Sequence, residues 1–285
     1  METMGDKMAK CTVCYRNCSI SEGAYGFCGV RTCRNGGVVP DNYGKLTAIA
    51  LDPIEKKPLK RFYPGSKILS VGSYGCNLRC PFCQNYEISW SNEVSLSKSQ
   101  ATYVEPEKLA QMAENLQIKG NIGVAFTYNE PLSSYEYILD TAKILKQIGL
   151  KTVLVSNGMA DVATVKELFD YVDAMNIDLK GFTDHYYEKV LKGNRQMVMD
   201  FITEAIKHSH VEITTLIIPN ENDTMEEIFE LSKWISSLDP DIPLHLSRFF
   251  PRFNMTDRDA TPVENVYRLK AIAQKNLTYV YTGNC

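Results

Sequence analysis

From Lys67 onward, short β-branched runs alternate with stretches of helical period, and this alternation restricts the chain to a parallel sheet with crossover helices. Strands are expected at Ile68 to Gly72, Ile122 to Phe126, Thr152 to Ser156, Ala174 to Asp178, Glu212 to Ile218 and Leu244 to Phe249, with a seventh at Leu277 to Tyr281. Ser133 with Glu136, Thr224 with Glu227, and Thr261 with Pro262 and Glu264 each match a capping box, and Pro106 suits a first helical position. Such an order of elements is α/β, either a barrel or a doubly wound sheet. In both, ligands gather beyond the carboxyl ends of the strands.

The preceding 66 residues behave differently. They are loop-rich, show little sustained periodicity and hold Cys11, Cys14, Cys18, Cys28 and Cys33. The expected division is a Cys-rich metal-binding module over residues 1–66 and an α/β unit over 67–285, with the boundary at Tyr63-Pro64-Gly65-Ser66. A net charge of −3 argues against nucleic acid as the main partner. No apolar run suggests a secretory signal or a membrane span, so a soluble, cytoplasmic protein is expected. Nine cysteines in such a chain point to metal or redox chemistry rather than disulfides.

After the first expected strand the chain reads Gly75-Cys76-Asn77-Leu78-Arg79-Cys80-Pro81-Phe82-Cys83, a Cys-x3-Cys-x2-Cys group. Three thiolates on one loop can hold three irons of a 4Fe-4S cluster and leave the fourth open to a ligand. A closed zinc site would want a fourth ligand nearby, and Gln84 to Asp184 contains neither Cys nor His. This group, with Phe82 before its third cysteine, resembles the radical S-adenosylmethionine (SAM) superfamily, and the resemblance extends over the whole α/β unit. It implies a partial (βα)6 TIM-type barrel, a 4Fe-4S cluster on Cys76, Cys80 and Cys83, and reductive cleavage of SAM to a 5'-deoxyadenosyl radical.

Other segments carry the resemblance further. Thr127-Tyr128-Asn129-Glu130-Pro131 looks like the family's Gly-Gly-Glu-Pro, with the glycines replaced, so Glu130 would accept from the methionyl ammonium. Ser156-Asn157-Gly158 resembles the ribose-contacting Thr-Asn-Gly of glycyl-radical-enzyme activases. Asp178-Leu179-Lys180 resembles their Asp-Leu-Lys, where Lys180 would neutralise the methionyl carboxylate, and the strand from Leu216 to Pro219 resembles their adenine contact.

Gly23 to Arg31, Asp52 to Leu59, Phe62 to Ser66, Cys83-Gln84-Asn85, Arg248 to Pro251 and Tyr279 to Asn284 together look like the radical enzyme of the AmmeMemoRadiSam system. That likeness implies Memo-like and AMMECR-type proteins as partners or substrates and a flavodoxin or ferredoxin type reductant. The activases remove hydrogen from a backbone glycine, so abstraction from a peptide or protein is the leading expectation. A small-molecule oxidoreductase and a non-catalytic iron-sulfur carrier are the alternatives.

Cys11-x2-Cys14-x3-Cys18 followed by Cys28 supplies four thiolates, enough for a tetrahedral zinc or an auxiliary iron-sulfur cluster. Because no redox step need pass through this module, a structural metal is the first reading, with Cys33 left over. The run Lys56-Lys57-Pro58-Leu59-Lys60-Arg61 reads as a solvated loop. His245 reads as a hydrogen-bonded core residue, and His185, His208 and His210 as surface.

Overall fold

The computed structural model describes residues 7–90 and 98–285. Its centre is an eight-stranded sheet in the order β14-β13-β12-β11-β10-β9-β7-β6, comprising β6 (Ala48–Pro53), β7 (Lys67–Gly72), β9 (Asn121–Phe126), β10 (Lys151–Ser156), β11 (Ala174–Asp178), β12 (His210–Ile217), β13 (Leu244–Arg248) and β14 (Val280–Gly283). Every neighbouring pair from β7 to β14 is parallel, as βαβ crossovers require. This is the expected α/β partial barrel. The last strand lies a few residues later than the sequence suggested, because the helix Val263–Ala273 and the turn after it bury Leu277 before the strand begins.

Apolar helix faces cover the sheet from outside. Leu109 and Ala113, Ile138 and Leu145, Phe201 and Ile202, and Ile228 and Leu231 pack on Leu69, Val71, Val124, Leu154 and Ile177 in one continuous core. Pro106 opens its helix as expected, and Thr224 Oγ1 accepts from Glu227 N at 3.2 Å. Two expected caps are not made. Ser133 donates to the Glu130 carbonyl while Glu136 pairs with Arg31, and Thr261 Oγ1 donates to the Ile217 carbonyl. In both places a tertiary acceptor takes the group that local capping would use.

The sheet begins upstream of residue 66. β6 pairs antiparallel with β7 over its full length, although Ala48–Pro53 shows no clear alternation of buried and exposed residues. The basic run after it is solvated only in part: Lys56, Lys60 and Arg61 are exposed, but Lys57 turns inward. Ile54, Leu59 and Phe62 pack with Ile68, Ala125, Val153 and Ala174 to close the floor of the barrel, and Lys57 is only 3% exposed. Glu212 holds this plug from below, accepting from Lys60 N at 3.0 Å and Arg61 N at 2.7 Å and pairing with His210 and His245. His245 is thus the core histidine expected, whereas His210 is half-buried and stacks on Phe62.

Short antiparallel pairs organise the N-terminal segment: β1 (Met8–Lys10) with β2 (Ser19–Ser21), β3 (Arg31–Arg34) with β4 (Gly37–Pro40), and β5 (Lys45–Leu46) with β8 (Thr102–Tyr103) from later in the chain. Its apolar cores are small, Cys11, Val13, Ile20 and Cys33 in one and Cys28, Val30 and Tyr74 in another. Among the described residues, no helix is long and apolar enough to cross a membrane.

Candidate active site

The loop after β7 is shaped by Gly75. It sits at φ +85°, and a Cβ there would lie 2.8 Å from the Cys28 carbonyl and against Val30. The three-cysteine loop therefore rests directly on the N-terminal segment, and only glycine satisfies both the left-handed backbone and the close approach. Gly75→Ala is expected to destabilise the protein by about 2 kcal/mol or more and to lower its iron content after reconstitution. Denaturant unfolding beside an iron assay checks this; wild-type values for both would contradict it.

Beneath the loop, the Arg79 guanidinium donates to the carbonyls of Cys76, Leu78 and Phe27 and lies 4.1 Å over the Phe27 ring. Asn129 ties the loop to the end of β9, its Oδ1 accepting from Ser73 N and its Nδ2 donating to the carbonyls of Tyr74 and Gly75. Tyr128 takes a left-handed conformation, φ +75°. Its ring lies where a Cβ on Gly72 would come within 2.7 Å. The two residues standing in place of glycines thus have distinct roles: Tyr128 accepts the strained backbone and Asn129 anchors the cysteine loop.

Above the plug, a solvent-open cavity of about 490 Å³ occupies the carboxyl ends of the strands. Its lining brings together all ten residues singled out there: Cys76, Cys80, Phe82, Cys83, Glu130, Ser156, Asn157, Asp178, Lys180 and Leu216. Burial pushes the Cys80 thiol up to about 12, and it also raises Cys76 and Cys83. Thiols so placed lose their protons only to a strongly cationic partner. Leu78 N, at 3.4 Å, and Asn157 Nδ2, at 3.8 Å, already point at Cys76 Sγ as donors to a sulfur carrying negative charge. The donor set fits an iron-sulfur cluster.

Glu130 is 2% exposed. It accepts from Leu132 N at 3.0 Å, Ser156 Oγ at 2.7 Å and Asn157 N at 2.9 Å. Burial pushes its carboxyl up to about 7 against these three bonds, which favour the anion. Oε2 makes only one of them, so an acceptor position is left for a cation. Ser156 is committed on both sides, donating to Glu130 and accepting from Gly158 N. Asn157 joins Asn77, donating at 2.9 Å, while its Oδ1 accepts from Met159 N.

Lys180 Nζ sits 2.8 Å from Asp178 Oδ2. Burial works against its charge, but Asp178 and the nearby Cys80 hold its pKa above the ordinary lysine value. The Leu216 carbonyl accepts from Asn222 Nδ2, which also donates to the Lys180 carbonyl and so ties the ends of β11 and β12. The cavity floor adds a group the sequence did not mark as functional. Asp52 pairs with Lys57 at 3.0 Å and accepts from Tyr128 Oη at 2.9 Å, and these partners hold it down to about 2 although burial opposes them. Nothing local in a Lys-Lys-Pro run says that its second lysine turns inward; the signal lies in the apolar Ile54 and Leu59 that bracket it.

The N-terminal cysteines are gathered elsewhere. Cys11, Cys14, Cys18 and Cys28 line a separate cavity behind the three-cysteine loop, and Cys33 is buried between strands. Cys285 is exposed.

A partial barrel that presents three thiols on one loop, a buried carboxylate and an ion-paired lysine at its strand ends is the frame of an iron-sulfur enzyme that binds an amino-acid-like cofactor. Residues 70–232 match the radical SAM superfamily, and the chain belongs to it. It is 38% identical over 287 residues to an uncharacterized protein of Methanocaldococcus jannaschii, covering 99% of this chain and 83% of that one. It is 26% identical over 166 residues to a pyruvate formate-lyase-activating enzyme of Clostridium pasteurianum, covering 58% and 67%. Among solved structures, a radical SAM methyltransferase from Sphaerobacter thermophilus superposes with a TM-score of 0.58 at 17% identity, over 78% of this chain and 67% of that one. This last likeness shows the fold. Membership brings a 4Fe-4S cluster and SAM as cofactors and makes the protein an enzyme, which removes the electron-carrier alternative.

Proposed function

We propose that this radical SAM enzyme is of the AmmeMemoRadiSam type and removes a hydrogen atom from a peptide or protein. The observation that carries this reading is the width of the cavity. It runs from Lys56 and Lys57 beside β6 to Ser247 and Asn284 at the far edge of the sheet and opens to solvent, which suits an extended segment of polypeptide. Similarity to an enzyme that activates pyruvate formate-lyase supports the same class of substrate.

Cys76, Cys80 and Cys83 would hold the cluster, and the remaining polar groups of the cavity would hold SAM beside it. Together the two cofactors supply an electron and a carbon-centred radical. Glu130 would receive the methionyl ammonium at its remaining acceptor position, and Lys180 its carboxylate. Asn157 would face the ribose, with Phe82 and the Leu216 strand beside the rest of the cofactor. Ser156 acts as a positioning residue here, because its proton already fixes Glu130. The apolar floor formed by Ile54, Leu59 and Phe62 keeps bulk water from entering the barrel from below.

The test is deuterium transfer. The enzyme is reconstituted anaerobically, reduced with a flavodoxin or ferredoxin type donor, and given SAM with a perdeuterated Memo-like or AMMECR-type protein. Deuterium in 5'-deoxyadenosine is the expected result. The second reading is a small-molecule oxidoreductase, for which the Lys57–Asp52 pair and Tyr128 on the floor would offer polar contacts. Transfer from a deuterated small-molecule extract but from neither protein would establish that reading and overturn the first.

A further inference from the structure

Arg79 stands inside the three-cysteine group, between Cys76 and Cys80 in the chain, and its guanidinium bonds no carboxylate among the described residues. Nη1 donates to the carbonyls of Cys76 and Leu78, both at 2.7 Å, and Nη2 to that of Phe27. Its backbone N–H donates to the Leu191 carbonyl at 2.8 Å, so both ends of the residue are fixed against the fold.

A second guanidinium shares this place. Arg16 lies 3.3 Å from the centre of the Phe27 ring, and Arg79 lies 4.1 Å from the same centre. The hydrogen-bond partners of Arg16 are again carbonyls, those of Asn77 at 3.4 Å and of Lys192. Two cations that share one ring repel each other, and neither is matched by an Asp or Glu among the described residues.

Arg79 is half-buried, so water screens its charge only in part. Burial pulls its pKa below the ordinary arginine value; Cys76, Cys28 and Cys80 oppose that fall, and Arg16 adds to it. The groups that favour its charge are thus cysteines. A thiol is negative only once its proton has gone, and metal binding removes that proton. The charge of Arg79 is matched when the cysteines around it are thiolates.

A residue that only ties down the loop needs neutral donors. Asn129 does this work at the other end of the same loop, bonding Ser73, Tyr74 and Gly75 through an amide. The charge of Arg79 therefore has a purpose besides tethering. Charge and hydrogen bonding around the ligands of an iron-sulfur cluster set its reduction potential.

From this geometry we propose that Arg79 is a positioning residue that acts through the cysteine ligands to raise the reduction potential of the cluster at Cys76, Cys80 and Cys83, with Arg16 adding to the same field. Reduction brings in one electron from an external low-potential flavin or iron-sulfur protein and makes the cluster more negative by one charge. A fixed cation beside its ligands favours that form. The inference rests on the reading of the three-cysteine loop as the cluster site.

The test is a potentiometric titration of the anaerobically reconstituted full chain, followed by visible absorbance and electron paramagnetic resonance, with iron and sulfide measured in each sample. Arg79→Gln should shift the reduction equilibrium about tenfold toward the oxidised cluster, a midpoint about 59 mV lower. Arg79→Lys, which restores the charge without the planar fork, should stay within a factor of about three of wild type. Coincident midpoints for Arg79→Gln and wild type at equal cluster content would overturn the proposal, and so would a lysine variant displaced as far as the glutamine one.

If Arg79→Gln holds no cluster, Arg16→Gln decides the matter, because Arg16 bonds no cysteine carbonyl. Its loss should move the equilibrium in the same direction by about threefold, and an unmoved midpoint would count against the proposal. Wild-type iron no higher than that of the Cys76→Ala, Cys80→Ala, Cys83→Ala triple variant would instead remove the reading of the loop, and the proposal with it.

Discussion

Glu130→Ala should abolish SAM cleavage and weaken the fold together. Removing the carboxylate leaves Leu132 N, Ser156 Oγ and Asn157 N without their buried acceptor. Each such orphaned group is worth about 1–3 kcal/mol. Glu130→Gln keeps the volume and one carbonyl oxygen, so its fold should survive better. It still loses the charge proposed to receive the methionyl ammonium, and cleavage should fall about 100- to 1000-fold. A glutamine variant cleaving SAM at the wild-type rate would remove Glu130 from the cofactor site.

The same residue gives a pH signature in the cofactor-free protein. Its folded pKa, about 7, lies above the ordinary glutamate value of 4.5, so between those values the native state binds more protons than the unfolded one. Stability from this group is therefore complete below about pH 4.5 and is lost as pH rises through 7. Relative to Glu130→Gln, wild type should lose on the order of 3 kcal/mol across that window, read from urea unfolding at both ends. Parallel pH profiles for the two proteins would contradict the assignment.

Glu212→Ala should have the largest effect away from the mouth of the barrel. Glu212 is fully buried and serves four donors: the backbone N–H groups of Lys60 and Arg61, His210 and His245. Its truncation strips the plug of its anchor and leaves these groups uncompensated, for an expected loss of about 3–5 kcal/mol. Burial opposes the anion, but His210, His245 and the two N–H groups hold its carboxyl down to about 2. Its contribution is thus present above about pH 4.5 and lost as pH falls through 2. Denaturant unfolding measures the loss, and trypsin should cut at Lys60 and Arg61 faster in the variant. Unchanged stability and cleavage would mean that the apolar plug residues hold the floor without it.

Much of this arrangement was legible before any coordinates. The short β-branched runs and crossover helices define the parallel sheet because strands buried on both faces are written as continuous apolar stretches. The three-cysteine spacing is equally explicit, because its chemistry is set by residue type. What the sequence did not disclose depends on partners distant in the chain. β6 lacks alternation, so it is recognised only by pairing with β7. Lys57 looks solvated until Asp52 and Tyr128 are placed around it. Ser133 and Thr261 have the form of caps, yet the Glu130 and Ile217 carbonyls lie closer at hand. Asn129 looked like a lost glycine, and its three bonds to the cysteine loop give it a structural purpose.

The central claim, that Cys76, Cys80 and Cys83 support reductive cleavage of SAM, is tested most directly by chromatography for 5'-deoxyadenosine. The anaerobically reconstituted enzyme is reduced and given SAM beside the Cys76→Ala, Cys80→Ala, Cys83→Ala variant. The account predicts 5'-deoxyadenosine from wild type and none from the variant. Equal product from both, or a fully loaded wild type that does not bind SAM, would contradict it.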